Sequence, residues 1–216
     1  MAASKMAVHR RLSAKHDDIL RAATESFLEA GYERASMDEI AAKAGVSKAT
    51  VYSHFRSKEA LFEAIIRELC RRLVTPLHMA GSDRVGPRET LTSFARSYVE
   101  LLLDPASLAL HRLLVAEASR DPELARGSYR AGGAQALRGL AEYLARETAK
   151  GTLAVDDPEL AAEQLFGMLN GHMQVRALLR VEPRPSRKML DRFVASAVAA
   201  FLRAHSPPRR AVVGET

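Results

Sequence analysis

The stretch "GVSKATVYSHF" carries hydroxyl and basic side chains at a spacing suited to contacting nucleic acid. Val51 and Phe55 are apolar and four residues apart, so on a helix they face inward and leave the polar residues outside. Hydroxyl and basic groups donate to phosphate oxygens, and Lys48 is also placed to reach guanine acceptors. The methyl groups of Ala49 and Thr50 suit thymine methyls, and such small side chains allow close approach. The stretch therefore indicates a helix that enters the DNA major groove.

A capped helix before this stretch and another after it must position it. Ser36, with Glu39 three residues later, forms a capping box that opens a short helix ending at Gly45. Two short helices joined at a glycine form the helix-turn-helix arrangement, whose second helix lies in the major groove. Ser36 and Lys58, at the starts of helices two and four, add phosphate contacts. Spacing alone fits DNA-binding proteins and helical proteins that never contact DNA about equally.

The composition of the 216 residues favours an all-α fold. Aromatic residues make up only 6%, Trp is absent, and helix formers outnumber the residues that strands favour. Apolar periodicity predicts four helices before Pro76 and five after the Gly- and Pro-containing stretch 79–90, about nine in all. Gly132 and Gly133, early in the seventh, mark either a kink or an adaptable wall of the effector cavity. The predicted organisation is a flexible arm at 1–13, a three-helix helix-turn-helix domain at 14–60, a helical effector-binding and dimerisation domain at 61–204 and a disordered tail at 205–216.

Charge and chemistry narrow the function. The net charge of +6 is diffuse, so it permits a polyanionic partner without requiring one. Cys70 is the only cysteine and fits a small buried apolar residue better than a redox site. No metal-ligand spacing, phosphate-cradling glycine loop or nucleophile elbow is present, so we expect neither a cofactor nor an enzyme. No apolar run approaches the ~20 residues of a membrane helix, so we expect a cytoplasmic protein without membrane contact.

The opening stretch also carries a family resemblance. Residues 14–66, with Phe27, Gly31 and Tyr32 ending the first helix and "SKEALF" opening the fourth, resemble the N-terminal domain of TetR-family transcriptional regulators. The resemblance implies that Lys48 and Ala49 face bases. Residues 110–124 and the following helices are similar to the AefR-like subgroup of the family. The resemblance also implies that Thr50, Tyr52, His54 and Lys58 contact phosphates. The predicted DNA-binding residues are Ser36, Ser47, Lys48, Ala49, Thr50, Tyr52, His54 and Lys58.

A DNA-binding domain with one small recognition helix makes few base contacts, so it needs a second copy of the protein for specificity. Specificity then comes from two helices about one turn of DNA apart, ~34–36 Å, on a near-palindrome. The last two predicted helices carry glycines four apart and an apolar stripe that suit an antiparallel four-helix contact across a twofold axis, which the resemblance also implies. An ordinary monomer core fits the same pattern. The predicted dimer-interface residues are Gly167, Gly171, Leu190, Phe193, Val194, Ala197 and Phe201.

The helices between the predicted helix-turn-helix domain and the two predicted dimerisation helices carry polar groups on otherwise apolar faces. Cavities for small molecules are mostly apolar with a few polar groups that fix orientation, so these residues predict an effector site. Each of them also fits an ordinary core or surface position. The predicted effector-binding residues are Phe94, Tyr98, Leu101, His111, Leu114, Glu117, Phe166, Asn170 and Met173.

These features together predict a regulator that binds a double-stranded DNA operator as a homodimer and is released by a small, largely apolar effector of unknown identity. The family resemblance implies that it is a repressor. An effector that shifts helix four changes the separation of the two recognition helices, and ~1–3 kcal/mol of preference weakens DNA binding some 5- to 150-fold. The alternative is an architectural or protein-recruiting DNA-binding protein without a small ligand.

Overall fold

The computed structural model describes residues 2–79 and 85–207, with side chains described at 14–77 and 85–207. All regular secondary structure over those residues is α-helical, which confirms the predicted fold class. The predicted arm at 1–13 has no described side chains, and residues 208–216 of the predicted tail lie outside the described part. The ten helices there, against about nine predicted, are α1 (Ala2–Ala30), α2 (Met37–Lys43), α3 (Lys48–His54), α4 (Lys58–Met79), α5 (Pro87–Leu102), α6 (Pro105–Glu117), α7 (Pro122–Ala131), α8 (Gly133–Ala149), α9 (Pro158–Leu179) and α10 (Arg187–Ala204).

The additional helix is α7, which begins where the sequence suggested only a break. Asp121 caps it, because its Oδ1 accepts a hydrogen bond from the Leu124 amide at 2.9 Å, and Pro122 occupies the first helical position. The helix ends at Gly132, and α8 starts at Gly133. The glycine pair predicted to kink one long helix therefore separates two helices. Pro76, predicted to end the fourth helix, lies inside α4.

Local hydrogen bonds fix the two short helices before α4. The capping box at the start of α2 is present, with Ser36 Oγ accepting from the Glu39 amide and Glu39 accepting from the Ser36 amide, both at 3.2 Å. Gly45 forms the bend with φ of +66°, a left-handed conformation that favours glycine. Ser47 caps α3 by accepting from the Thr50 amide at 3.1 Å. The two short helices of the predicted helix-turn-helix thus each begin at a serine that caps the residue three positions later.

The chain divides into two compact units. The first contains the described residues up to Cys70 together with Pro105–Gly133. Its core joins α1–α4 to Leu110 and Leu124 of α6 and α7. The rings of Phe27, Tyr32 and Phe62 pack against one another at centroid distances of 5.4–5.6 Å. Helices α6 and α7 therefore stabilise the helix-turn-helix, although the sequence grouped them with the effector-binding domain.

The second unit contains Arg71–Asp104 and the described residues from Ala134 onward. Helix α10 packs against α5 and α9, and α8 contributes Leu140, Tyr143 and Leu144 to the same core. Helix α9 is interrupted at Gly171, whose φ of 47° and ψ of −166° are not helical. Among the described residues, no helix is long and apolar enough to cross a membrane.

Candidate functional site

The exposed face of α3 is the part of the first unit whose chemistry suits a nucleic acid. Val51 is fully buried and Phe55 nearly so, which fixes the opposite face of the helix outward. Lys48 and Ala49 are exposed, and the side chain of Tyr52 is 45% exposed. Ser47 is also exposed, whereas Ser36, Thr50, His54 and Lys58 are half-buried. The predicted polar residues are thus all exposed or half-buried, and their role in binding DNA stays a prediction.

Lys48 forms an ion pair with the helix that precedes it. Its Nζ lies 2.8 Å from Oδ1 and 2.9 Å from Oδ2 of Asp38 on α2. The hydrogen bond to Asp38 raises the pKa of Lys48, so the side chain is a cation at neutral pH. Nζ also lies 6.0 Å from the centre of the Tyr52 ring. A DNA contact of Lys48 would therefore compete with the Asp38 carboxylate for the ammonium group.

The hydroxyl groups of Ser47 and Thr50 are held together at the start of α3. Their oxygen atoms lie 2.8 Å apart, and one hydroxyl hydrogen is shared between them. The second hydroxyl hydrogen remains able to donate to a phosphate oxygen. Because this pair is at a helix start, unpaired backbone amides lie beside it, which also favours an anion.

His54 lies at the other end of α3 against α1. Its ring centroid is 5.8 Å from that of His16, and the His16 ring lies 5.0 Å from that of Phe55. Burial lowers the pKa of His54, and the charges of His16 and Lys15 lower it further. At pH 7 His54 is therefore neutral, so it offers a phosphate a hydrogen bond rather than a positive charge.

Lys58 supports the fold, a role that the sequence analysis did not assign to it. Its Nζ donates to the carbonyl oxygens of Tyr32 at 2.8 Å and Glu33 at 3.0 Å, between α1 and α2. It also lies 4.5 Å from the centre of the Tyr32 ring. The Tyr32 hydroxyl in turn donates to Glu59 Oε1 at 3.2 Å, and burial raises the pKa of Tyr32 well above its ordinary value. Lys58 therefore links α4 to the loop that leads into α2.

Six of the nine predicted effector-binding residues belong to the core of the second unit or pack against it: Phe94, Tyr98, Leu101, Phe166, Asn170 and Met173. The Tyr98 and Phe166 rings meet edge to face at a centroid distance of 4.7 Å, and Phe94 and Phe166 meet in the same way at 5.6 Å. The Tyr98 hydroxyl donates to Asn170 Oδ1. The structure thus joins three aromatic rings and one polar pair beside the interruption of α9 at Gly171.

The other three predicted effector-binding residues belong to the first unit. His111 is exposed, and Leu114 packs against the core of that unit. Glu117 is only 8% exposed, and its Oε2 accepts no hydrogen bond from a described residue. Their predicted role in binding an effector stays a prediction.

The predicted dimer residues differ in where their side chains lie. Gly167 and Gly171 of α9 are exposed, and Leu190, Phe193 and Ala197 of α10 are half-buried. Val194 and Phe201 are almost wholly buried inside their own chain, because this face of α10 packs against the core of the second unit. These two residues are therefore not available to contact a second copy. Exposed Met168, Val175 and Leu179 extend the apolar surface of α9 beyond the predicted set.

An open groove in the second unit was not predicted. It has a volume of about 1030 Å³ and lies between α8 and the start of α9. Its lining is mixed, with the apolar residues Leu137, Ala141 and Leu160, acids including Glu163 and the basic Arg138. None of the predicted effector residues lines it. Within residues 2–79 and 85–207, no group of three His, Cys, Asp or Glu side chains is placed to hold a metal ion.

Two family models match the chain. Residues 19–65 match the model of bacterial regulatory proteins of the tetR family, and residues 89–207 match the C-terminal domain of AefR-like transcriptional repressors. Among curated relatives, the transcriptional activator FasR of Mycolicibacterium smegmatis is 34% identical over 88 residues, which are 41% of this chain and 40% of FasR. The chain spans less than half the length of FasR in that match.

Solved structures match over nearly the whole chain. A TetR-family transcriptional regulator from Mesorhizobium loti is 34% identical, with a TM-score of 0.77, and the match covers 91% of this chain and 98% of that one. The flavonoid-responsive regulator FrrA is 35% identical, with a TM-score of 0.68, and the match covers 90% of this chain and 98% of FrrA.

Proposed function

Because this chain belongs to the TetR family of transcriptional regulators, we propose that it binds a near-palindromic DNA operator as a homodimer in the cytoplasm and is released by a small effector. The observation that carries this proposal is the orientation of α3. Its apolar residues Val51 and Phe55 are buried, while Lys48, Ala49 and Tyr52 are exposed on one surface. A helix in this orientation can present its hydrogen-bond donors and small methyl groups to the base edges and phosphates of DNA.

The proposed roles follow from each side chain's position. Lys48 and Ala49 contact base edges, and Thr50, Tyr52 and His54 contact phosphates. Ser36 and Ser47 add hydroxyls beside helix N-termini, and Lys58 adds a cation while it holds the α1–α2 loop. We propose a repressor on the strength of the AefR-like match, although the relative FasR is described as an activator.

DNA binding is tested by selecting duplexes from a random-sequence pool and measuring affinity by fluorescence anisotropy at several salt concentrations. Tyr52→Phe should weaken binding to all duplexes alike, because it removes a phosphate donor. Lys48→Ala should change which sequence is preferred. If Lys48→Ala leaves the sequence preference untouched, its base-facing role is wrong. If the wild-type protein enriches no sequence, the whole proposal is wrong.

The effector proposed here is an aromatic molecule that carries hydroxyl groups. The rings of Phe94, Tyr98 and Phe166 offer apolar faces and edges, and the Tyr98–Asn170 pair offers a donor and an acceptor within the same cluster. Such a mixture suits a flat phenolic ligand, which stacks on aromatic rings and needs its few polar atoms paired. The relative FrrA is described as flavonoid-responsive, which supports the same ligand class.

Isothermal titration with a flavone, a flavanone and a saturated fatty acid tests this ligand class. The phenolic compounds should bind, and Asn170→Ala should weaken them by about tenfold, since it removes a hydrogen-bonding group that the ligand replaces or uses. Leu102→Ala, outside the aromatic cluster on the same unit, serves as a matched control and should have a smaller effect. Binding of the fatty acid alone would contradict the proposal.

The alternative function is DNA binding without a small effector. The observation that favours it is that Phe166 packs directly against the rings of Phe94 and Tyr98. Under this alternative, no aromatic compound releases the selected operator. Under the proposed function, a phenolic ligand that binds also lowers operator affinity.

A further inference from the structure

The open groove between α8 and the start of α9, which we call the α8–α9 groove, carries an excess of negative charge. Five acids and one base line it, so the acids are in excess by four charges. All of these side chains are exposed, and none of them forms an ion pair with another residue that the structure describes. The groove therefore has negative charge that a basic segment would neutralise. The charged lining residues are Arg138, Glu142, Asp156, Asp157, Glu159 and Glu163.

The same groove has an apolar lining. One face of α8 contributes Ala134, Leu137, Ala141 and Ala145, at the three- and four-residue spacing of neighbours on a helix surface. Leu160 contributes from α9 and is 54% exposed. A surface with exposed apolar groups beside unpaired acids suits a segment that carries both cationic and small apolar side chains.

The end of α10 is held close to this groove. The Ala154 amide donates to the carbonyl oxygen of His205 at 2.9 Å, and the His205 ring lies 4.5 Å from that of Phe201. The Ser206 hydroxyl also donates to the backbone of α10, at 2.6 Å. Ala154 is two residues before Asp156, and two residues span at most about 7 Å. The chain therefore leaves α10 beside the acidic lining of the groove.

The residues that follow have the composition that the groove favours. Residues 208–216 read "PRRAVVGET" and lie outside the described part of the chain. Their only acid, Glu215, comes after the basic and apolar positions. The two basic positions are four and five residues beyond His205, so an extended chain places them within about 13–18 Å of it. The basic and apolar residues are Arg209, Arg210, Ala211, Val212 and Val213.

We propose that residues 209–213 bind the α8–α9 groove of their own chain, with the two arginines against its acids and the two valines on its apolar residues. This inference is independent of the proposed function, because it requires neither DNA nor an effector. Exposed ion pairs are individually weak, so the same segment as a free peptide would bind poorly. Its attachment at His205 holds it at an effective concentration of about millimolar, which makes a weak contact sufficient.

Disulfide trapping measures where the segment lies. One protein carries Val213→Cys with Ala145→Cys, an exposed groove position, and a matched protein carries Val213→Cys with Ala204→Cys, an exposed position at the end of α10. An unbound segment would react faster at position 204, because only nine residues connect it to position 213. A bound segment should instead react at position 145 at least about threefold faster than at position 204.

Oxidation with glutathione at low protein concentration, followed by peptide mass spectrometry, gives the two rates. Val213→Cys alone accounts for any bond to Cys70. Non-reducing electrophoresis shows whether the disulfide is within one chain or joins two.

Charge reversal tests the role of the arginines. Arg209→Glu with Arg210→Glu should slow trapping at position 145 by about tenfold in low salt. Glu142→Lys with Glu163→Lys, one change on each helix of the groove, should slow it by a similar factor. Combining the two reversals should restore the rate, because opposite charges then face each other again.

Two further variants serve as controls. Arg187→Glu with Lys188→Glu makes the same change in net charge as the reversed arginines, on exposed residues at the start of α10, and should leave the trapping rate unchanged. If the reversed groove does not fold, Glu142→Gln with Glu163→Gln replaces it and should slow trapping by a smaller factor.

Any of four results would overturn the inference: trapping at position 204 as fast as at position 145, a rate that the reversed arginines leave unchanged, no recovery when the two reversals are combined, or a disulfide that joins two chains. Trapping within one chain by a protein that selects no DNA sequence would overturn the proposed function and leave this contact intact.

Discussion

Lys48 and Lys58 both lie on the proposed DNA-facing surface, but their neighbours give them different roles. Lys48 is exposed and pairs with the exposed Asp38, so its ion pair is screened by water and readily exchanged. Lys58 donates to two backbone carbonyls and covers the Tyr32 ring, so its replacement leaves those groups without a partner. The first lysine is thus free to serve recognition, whereas the second also serves stability.

Asp38→Ala should strengthen DNA binding by about threefold to tenfold, because DNA no longer competes with a carboxylate for Lys48 and one repulsive charge is removed. Fluorescence anisotropy with the selected duplex measures the change. The same substitution in a Lys48→Ala background should give a smaller gain. An equal gain in both backgrounds would mean that Asp38 acts only through its general repulsion of DNA.

Lys58→Ala should lower the free energy of unfolding by about 1–2 kcal/mol, since two charge-assisted hydrogen bonds and a cation–π contact are lost. Urea denaturation at a fixed protein concentration measures it. Lys43→Ala is the matched control, because Lys43 pairs with two carboxylates, the exposed Glu29 and the half-buried Glu25, and its loss should be smaller. If the two substitutions lower the free energy of unfolding equally, Lys58 does not support the fold more than an ordinary surface lysine does.

Cys70 should react slowly with thiol reagents in the native protein. Burial raises the pKa of its thiol to about 11 from an ordinary value near 9.0, so about 100-fold less thiolate is present at pH 8. Helix α7 also approaches closely, because a Cβ on Gly132 would stand 2.9 Å from the Cys70 sulfur. Because a thiolate of higher pKa is also more nucleophilic, labelling with a disulfide reagent at pH 8 should be about tenfold or more slower in the native protein than in urea. Comparable rates would contradict this assignment.

At the scale of helices, caps and bends decide where elements begin and end. Ser36, Ser47, Asp121 and Asp157 each accept a backbone amide at the start of the following helix. Gly45 sets the angle between α2 and α3 through its left-handed backbone, with no atom within 4 Å of the position that a side chain would take. The constraint at Gly45 is therefore conformational rather than steric.

Gly45→Ala should destabilise the protein by about 1–2 kcal/mol, because alanine is strained in the left-handed region. Gly45→Asn should cost less, since asparagine tolerates that conformation. Thermal unfolding at one protein concentration compares the two proteins. If alanine and asparagine destabilise equally, the bend does not require a left-handed residue.

Patterns confined to a few neighbouring residues made α1–α4 predictable. The Ser36–Glu39 capping box and the alternation of Val51 and Phe55 with polar residues both lie within one or two helical turns. The start of α7 was missed because "DP" is typical of both a helix break and a helix start, and only the Asp121 side-chain hydrogen bond distinguishes them. The Asp38–Lys48 pair and the contacts of Lys58 with the α1–α2 loop join residues 10 to 26 apart, and no periodicity reports such contacts.

At the scale of the whole chain, the division into units places α6 and α7 with α1–α3 and the first part of α4. Leu110 and Leu124 are buried in the same core as Phe27 and Phe62, so α6 and α7 respond directly to any rearrangement of that core. Helix α4 contributes residues to both units. The sequence instead predicted consecutive domains that divide between residues 60 and 61, because apolar periodicity does not report that α6 and α7 join the core of α1–α4.

If a phenolic effector releases the operator, the effect must be reciprocal. An effector that weakens operator binding by a factor in the range of about 5–150 must itself bind more weakly by the same factor when DNA is present. Isothermal titration of the effector into free protein and into the protein–operator complex measures both factors. Unequal factors at equilibrium would mean that a third species, such as a second dimer on the operator, takes part.

Because Cys70 is shielded beside the end of α7, a dye can be attached selectively to a cysteine introduced on α3. A maleimide dye would react preferentially with a cysteine introduced at the exposed Ser53, and the native sulfur need not be removed. In a dimer, donor and acceptor dyes at that position would report the spacing of the two α3 helices through energy transfer. The separation of the two α3 helices, which the proposed function links to operator choice, would thereby be measured in solution as the proposed effector is added.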